Sequence, residues 1–399
     1  MAKLIDITGK SLSGEWGTDD ETGDGIPVLR TTNFTNEGVV NYNDVVTRTI
    51  TKKNIADKFL RKGDIIIEKS GGSDKFPVGR VIYFDGEEKT YLFNNFTGLL
   101  RVKNQDEWYP KYIFYSLYAN YKRGGTRAFE NKTTGLHNLK TDDYVSRYEV
   151  AEIDKTEQIL ICEKLNKLYE IIKLRRQELQ LLDELIKARF VELFGDLANP
   201  KCQWKKEKLV DACKNPDDIK CGPFGTQLSK DEYCSSGVAV WEISQINSGF
   251  ATQPTHFLTD EKANQLEVYS IKSGDIAMSR KGNVGRCAVF PETMEDGIIH
   301  SDILRIRVNN DLVLPVFMMY QLHYSRAVQH QIELVSSGAI MAGINVTKLK
   351  QIEVHIPPLK LQQQFDAFVA EVDKSKVAIQ AALDKSQLLF DSLMQKYFG

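Results

Sequence analysis

The sequence predicts an α+β protein in which two strand-rich domains are separated by two long antiparallel helices in a pseudo-twofold arrangement. Three observations carry this. Residues 155–195 hold no Gly or Pro before the last position, and apolar side chains recur there at three- and four-residue steps, the pattern of a long amphipathic helix. Residues 361–399 repeat the pattern, and both stretches close alike, in Leu193-Phe194-Gly195 and Tyr397-Phe398-Gly399. The blocks before and between these helices share short motifs in the same order. The boundaries that follow are 1–153 for the first domain, 154–196 for the central helix, 197–358 for the second domain and 359–399 for the C-terminal helix.

Taken in order, each block reads as short β-branched runs bounded by Gly, Asp and Asn. In the first these are Ile26-Pro27-Val28-Leu29, Asp64-Ile65-Ile66-Ile67, Val81-Ile82-Tyr83 and Leu99-Leu100-Arg101-Val102. In the second they are Val238-Ala239-Val240-Trp241, Asp275-Ile276-Ala277-Met278, Cys287-Ala288-Val289 and Ile303-Leu304-Arg305-Ile306. A helical pattern follows each set, near 109–120 and 314–332. The correspondence extends further. Gly14 to Gly17 answers to Gly222 to Gly225, Gly63-Asp64 to Gly274-Asp275, Gly79-Arg80 to Gly285-Arg286, Pro110 with Tyr115 to Pro315 with Tyr320, and Glu157-Gln158 to Gln363-Gln364. Ordered matches of this kind signify a duplicated module.

The central helix carries its apolar stripe on Leu165, Leu168, Ile172, Leu179, Leu182 and Ile186, interrupted by Arg175 and Arg189. The C-terminal helix carries Phe365, Phe368, Val372, Ile379, Leu389 and Leu393. A helix of this length, about 60 Å at 1.5 Å per residue, needs a partner along its stripe, and the two are expected to cover each other.

Composition excludes several classes. No apolar run reaches the roughly 20 residues of a membrane span, and the N-terminus lacks a secretory pattern, so a cytoplasmic protein is expected. A net charge of −2 means that any nucleic-acid surface must be local. The six cysteines form no C-x-x-C pair, so no metal site is expected. No Walker loop, dinucleotide fingerprint or nucleophile elbow is present, and no catalytic residue can be named. Asp64, Glu68 and Lys69 superficially suggest a metal-dependent nuclease, but they lie crowded on one strand with Lys69 facing away from the other two.

Binding is better represented. Polar, basic, glycine-punctuated loops fall at matching places in the two blocks, suited to meeting phosphates with Lys and Arg and base edges with amides and hydroxyls. In the first block the candidates are Arg30, Thr31, Thr32, Asn33, Lys69, Ser70, Lys75, Arg80, Lys122, Arg123 and Arg127. In the second they are Ser244, Gln245, Asn247, Ser279, Arg280, Lys281, Asn283, Arg286, Ser336 and Ser337.

In their order and duplication these motifs, with Pro357-Pro358-Leu359 leading into the last helix and Glu157-Gln158-Ile159 near the start of the first, resemble the specificity (S) subunit of type I restriction–modification systems over essentially the whole chain. Two departures stand out: Ala151-Glu152-Ile153-Asp154 replaces a Pro-Pro lead-in to the first helix, and Gln363-Gln364 replaces Glu-Gln. The resemblance implies two target-recognition domains, each reading one half of a bipartite double-stranded DNA target, with the helix pair setting the gap. It also implies a subunit without catalysis or cofactor of its own. Two methyltransferase (M) subunits would dock on the helices, motor-nuclease (R) subunits can join them, and S-adenosylmethionine, Mg and ATP would belong to those partners. The alternatives are a non-catalytic interaction scaffold with a helical dimerisation rod, which predicts no salt-sensitive DNA affinity, and a stand-alone enzyme, which predicts turnover without partners.

Overall fold

The structure, a computed structural model, describes residues 1–133, 136–199, 201–336 and 343–399. It divides into two compact units. The first comprises Met1–Arg176 with Ala381–Gly399, and the second Gln177–Gln380. Each unit therefore holds one strand-rich block and one segment from each long helix. No helix among the described residues is long and apolar enough to cross a membrane.

The two frameworks repeat each other in their central strands. In the first unit a four-stranded antiparallel sheet runs in the order Leu12–Ser13, Thr97–Leu100, Ile65–Glu68, Val81–Tyr83. In the second the order is Ile219–Cys221, Ile303–Ile306, Ile276–Ser279, Cys287–Val289. The central strands are buried on both faces, which is why they read as unbroken apolar runs rather than alternating ones. A second sheet in each unit contains a parallel pair. Val28 and Leu29 lie against Leu92 and Phe93 in one, and Val240 and Trp241 against Ile298 and Ile299 in the other.

The space beside that pair is closed by glycine. A Cβ on Gly14 would stand 2.2 Å from the carbonyl oxygens of Phe93 and Asn94. On Gly222 it would stand 2.5 and 2.3 Å from those of Ile299 and His300. Only a residue without a side chain lets the backbone pass there.

Several buried polar groups repeat with the central strands. Asp64 takes a bidentate pair of 2.7 Å hydrogen bonds from Arg101 and a third from the Arg61 amide. Asp275 takes the same from Arg307 and the Lys272 amide. With these partners Asp64 is a framework residue and not part of a nuclease site. Pro110 and Pro315 open the helices Pro110–Lys122 and Pro315–Tyr324, where the missing N–H costs nothing.

The long helices run Lys155–Phe194 and Leu359–Phe398. Near the start of each a buried glutamine ties the helix to its own block. Gln158 accepts from the Tyr109 amide and donates to the carbonyls of Glu107 and Ile153. Gln362 accepts from the Leu314 amide and donates to those of Leu312 and Pro357. The equivalent of Gln158 is thus Gln362, and the sequence pairing of Glu157-Gln158 with Gln363-Gln364 is corrected by two residues. The closing Phe-Gly motifs at 194–195 and 398–399 keep this same spacing.

Within each unit the helix segments are antiparallel. In the first, Arg175 donates to the Ala382 carbonyl and the Ser386 hydroxyl while Arg176 meets Gln387. In the second, Asp183 pairs with Lys376, and Phe190 packs on Phe365 at 5.4 Å. Leu165, Ile172, Ile186, Phe365 and Val372 are buried, and Leu168, Leu179, Leu182, Phe368, Ile379 and Leu393 are half-buried. Leu389 is the exception at 49% exposed, because its neighbour Phe390 turns inward in its place. The arginines do not break the stripe as expected. Arg175 is half-buried on acceptors of the facing helix, and Arg189 lies over the Phe368 ring at 5.7 Å.

Candidate nucleic-acid interface

The segment after the first strand of each parallel pair is built around an amide. Asn33 is buried; its Oδ1 accepts from the Arg30 amide and its Nδ2 donates to the carbonyls of Asn41 and Asp44. Gln245 repeats this, accepting from the Glu242 amide and donating to the Gln253 carbonyl. Both side chains shape the loop and are unavailable to read bases. Ser279, fully buried in its strand, is likewise not a contact. These three candidates are corrected to framework residues. Thr32 and Ser244 stay exposed on the turns that the amides shape, while Thr31 is half-buried.

Arg80 and Arg286 hold these segments from the neighbouring sheet. The two are structural equivalents: the Glu68 amide donates to the Arg80 carbonyl, and the Ser279 amide donates to that of Arg286. Arg80 donates to the carbonyls of Phe34 and Thr31 at 2.9 and 3.0 Å and pairs with Glu68 at 3.3 Å. Burial raises the pKa of Glu68, and the Arg80 guanidinium opposes that shift. Arg286 donates to the Asn247 carbonyl at 2.9 Å, but it is exposed, and no carboxylate pairs with it among the described residues. Replacing a buried acid by serine thus leaves one of two equivalent arginines with an uncompensated charge.

Around Arg80 the glycine-rich loop 71–77 closes a cleft of about 330 Å³ with Glu68, Phe76 and Tyr121. Lys75 is exposed beside Phe76, which is itself 55% exposed. Arg127 braces the loop by donating to the carbonyls of Asp74 and Lys75. Lys69 is half-buried with its ammonium on the Ser13 hydroxyl, and burial lowers its pKa. Ser70 pairs with Asn138 along the backbone, and Arg30 is held by Asp44 at 2.7 Å.

Lys122 and Arg123 do not join this group. Arg123 donates to the Phe398 carbonyl at the end of the second long helix, where a cation complements the helix dipole. Lys122 lies over Tyr118, and burial lowers its pKa. Both are corrected from loop contacts to the side of the domain facing the helices.

In the second unit Arg280 stacks on Phe224 at 5.2 Å and donates to the Ile344 carbonyl, and Lys281 pairs with Asp302 at 2.9 Å. Asn283 is exposed, Asn247 is half-buried, and the Ser336 hydroxyl donates to the Glu333 carbonyl. Ser337 lies outside the described residues.

The sequence reading missed the exposed aromatics Phe76 and Phe224. Their signal was available: each lies in a glycine-containing loop, an unfavourable place for a bare ring unless something stacks on it. Together the loops offer cations for phosphates, hydroxyls and amides for base edges, and rings for stacking. No group of three His, Cys, Asp or Glu among the described residues is placed to hold a metal ion.

The fold is a duplicated module, and comparison with known proteins shows what it is similar to. Residues 204–386 match the family described as the type I restriction modification DNA specificity domain. A protein named as the MjaX specificity subunit of a type I restriction enzyme, from Methanocaldococcus jannaschii, is 22% identical over 146 residues, 36% of this chain and 34% of that one. One named as specificity subunit S.HindORF215P, from Haemophilus influenzae, is 24% identical over 209 residues, 50% of this chain and 51% of that one. The chain thus spans about a third to a half of the length of these curated relatives.

The S subunit of a type I restriction–modification system from M. genitalium shares the fold with a TM-score of 0.57 at 17% identity, covering 100% of this chain and 95% of that one. A chain from a structure addressing complex assembly and conformational transition of the type I R-M system gives 0.54 at 16% identity, covering 100% and 96%. By sequence, residues 204–386 are similar to the type I DNA specificity domain, and the chain has the fold of the type I S subunits.

Proposed function

We propose that this chain is the specificity subunit of a type I restriction–modification complex. Each unit reads one half of a bipartite DNA target, and the helices set the gap between the halves. The observation that carries this reading is the duplication of one framework, several of its buried hydrogen bonds included, with exposed basic loops at equivalent places but built from different residues. A conserved scaffold with divergent loops is what two readers of two sequences require.

The chain's part in modification is then to position partners rather than to react. Each unit leaves apolar side chains of the long helices in solvent: Leu160, Ile171, Leu174, Leu388 and Leu389 in the first, and Leu181, Leu185 and Val377 in the second. Exposed leucines of this kind mark a contact surface. Two M subunits, one on each unit, are the occupants this reading assigns, and they would hold the S-adenosylmethionine.

The test is adenine-methylation mapping in cells expressing this chain with its candidate M subunit, against the M subunit alone. Methylation at a split motif with constant spacing, dependent on this chain, is expected. No new methylation despite confirmed partner binding would shift the reading to a scaffold.

A further inference from the structure

The first unit contains a cleft that DNA reading and helix pairing leave unused. It encloses about 760 Å³, within the size range of small-molecule sites, and lies between the helix Pro110–Lys122 and the long-helix segments of that unit. Lys111 reaches into it. Its ammonium stands 3.9 Å from the centroid of the Tyr83 ring, 5.0 Å from Phe114 and 5.8 Å from Tyr115, and no carboxylate pairs with it among the described residues. Asp85 and Glu170 act on it only from a distance. Two other cations on the wall are matched, Arg176 with Glu37 at 3.6 Å and Lys173 with Glu170 at 3.9 Å, while Lys122 lies over the Tyr118 ring. Tyr109 and Tyr169 line the same cleft half-buried, and neither has a ring partner among the described residues.

The duplicated framework supplies an internal control. Tyr83 faces Ile65 across its strand pair as Val289 faces Ile276, and the Pro110 and Pro315 helices align Lys111 with Val316 and Phe114 with Met319. In the second unit those three positions are apolar and pack against the core. The scaffold therefore does not need a lysine or its ring cage here. A desolvated cation without a counterion is costly, and a fold retains one mainly where a ligand supplies the missing charge.

We propose that this cleft binds a small planar anion of the nucleotide class, with its phosphate on Lys111 and its ring against the unpaired tyrosines Tyr109 and Tyr169. A lysine is a point charge suited to phosphate, and tyrosine faces stack on any base. Asp85, exposed at the rim, disfavours highly charged polyphosphates and favours a monophosphate. The proposal does not depend on which bases the loops read.

The experiment is competitive acetylation of the full chain with limiting acetic anhydride, read lysine by lysine by mass spectrometry between about pH 7 and 10. It is run alone, with AMP, and with inorganic phosphate at matched ionic strength. Burial pushes the Lys111 ammonium down to about 8, so the free chain labels strongly there at pH 8. Bound AMP restores the charge, and Lys111 labelling at pH 8 falls roughly fivefold for the first unit its pKa rises and roughly tenfold for each further unit, with lysines outside the cleft unchanged. Lys111→Met, whose apolar stem suits the ring cage, abolishes AMP binding by calorimetry while retaining the folded far-UV spectrum. Unchanged Lys111 labelling at about 10 mM AMP, a concentration saturating for any millimolar site, overturns the proposal. So does equal protection by phosphate alone, or AMP binding that survives Lys111→Met. If that variant does not fold, the labelling of the wild-type chain decides alone.

Discussion

At the residue scale, the difference between the units is sharpest where Glu68 and Ser279 occupy one structural position. Glu68 is buried against Arg80, whereas Ser279 leaves Arg286 exposed and without an acid. If these arginines face phosphates, exchanging the two residues redistributes the charge. Ser279→Glu is expected to weaken DNA binding about tenfold and reduce the salt slope by about 1, the signature of one lost phosphate contact. Glu68→Ser is expected to do the reverse, and filter binding across salt reads both. An unchanged slope in both variants would remove Arg286 from the interface. Lys111 gives a pH prediction of its own. Below about pH 8 the folded and unfolded chains both carry its proton, so the full cost of a charge in the cleft is present. Between that value and the unfolded value of 10.5 the unfolded chain keeps a proton that the folded chain has released, and stability rises with pH. Lys111→Met should therefore stabilise the protein at pH 7 by about 1–2 kcal/mol, allowing for solvent at the cleft mouth, and the gain should vanish near the unfolded lysine value. Denaturant titrations at several pH values measure it.

At the scale of elements, the repeat was legible because it is written in residues with few substitutes. Gly14 and Gly222 cannot carry a Cβ, and Asp64 and Asp275 each anchor one arginine. Such residues keep their place while the apolar positions around them drift, as Ile66 against Ala277 illustrates. The helix stripes were legible in period but not always in phase. Where two apolar residues are adjacent, as at Leu389 and Phe390, a three-four spacing admits either, and only the facing helix and the helix Pro110–Lys122 decide. Phe390 is buried and stacks edge-on to Tyr115 at 6.5 Å. Phe390→Ala is accordingly expected to cost about 3–4 kcal/mol by cavity formation, whereas Leu389→Ala stays within about 0.5 kcal/mol. Urea unfolding of the two variants tests the phase, and equal effects would put the inward residue elsewhere. The loop candidates were the least legible part. A polar side chain in a loop reads the same whether it points to solvent or satisfies a backbone amide three residues away. Asn33 and Gln245 differ from Thr32 and Ser244 only through partners such as Asn41 and Gln253, which no local pattern identifies.

For the molecule as a whole, the near-neutral charge is a balance of 52 Lys and Arg against 54 Asp and Glu, and several of the cations, Arg101, Arg307, Arg30 and Lys281 among them, are held by acids within their own unit. Cations without an acid partner among the described residues, such as the loop residues Lys75 and Arg286, are the ones free to meet phosphates, and partner subunits can share those contacts. What the two units have in common is the pair of long helices, each continuous across the division between the units, at Arg176–Gln177 in the first and Gln380–Ala381 in the second. On the proposed function this is where the gap of the target is encoded, and each reader's loops lie outside it. Inserting one heptad after Arg176 and another after Gln380 keeps the apolar phase of both helices and adds about 10 Å to each, close to three base pairs of duplex. Methylation mapping of this double insertion is expected to return both half-sites unaltered with a gap longer by about three base pairs. Changed half-site bases at an unchanged gap would separate spacing from the helices and return it to the loops.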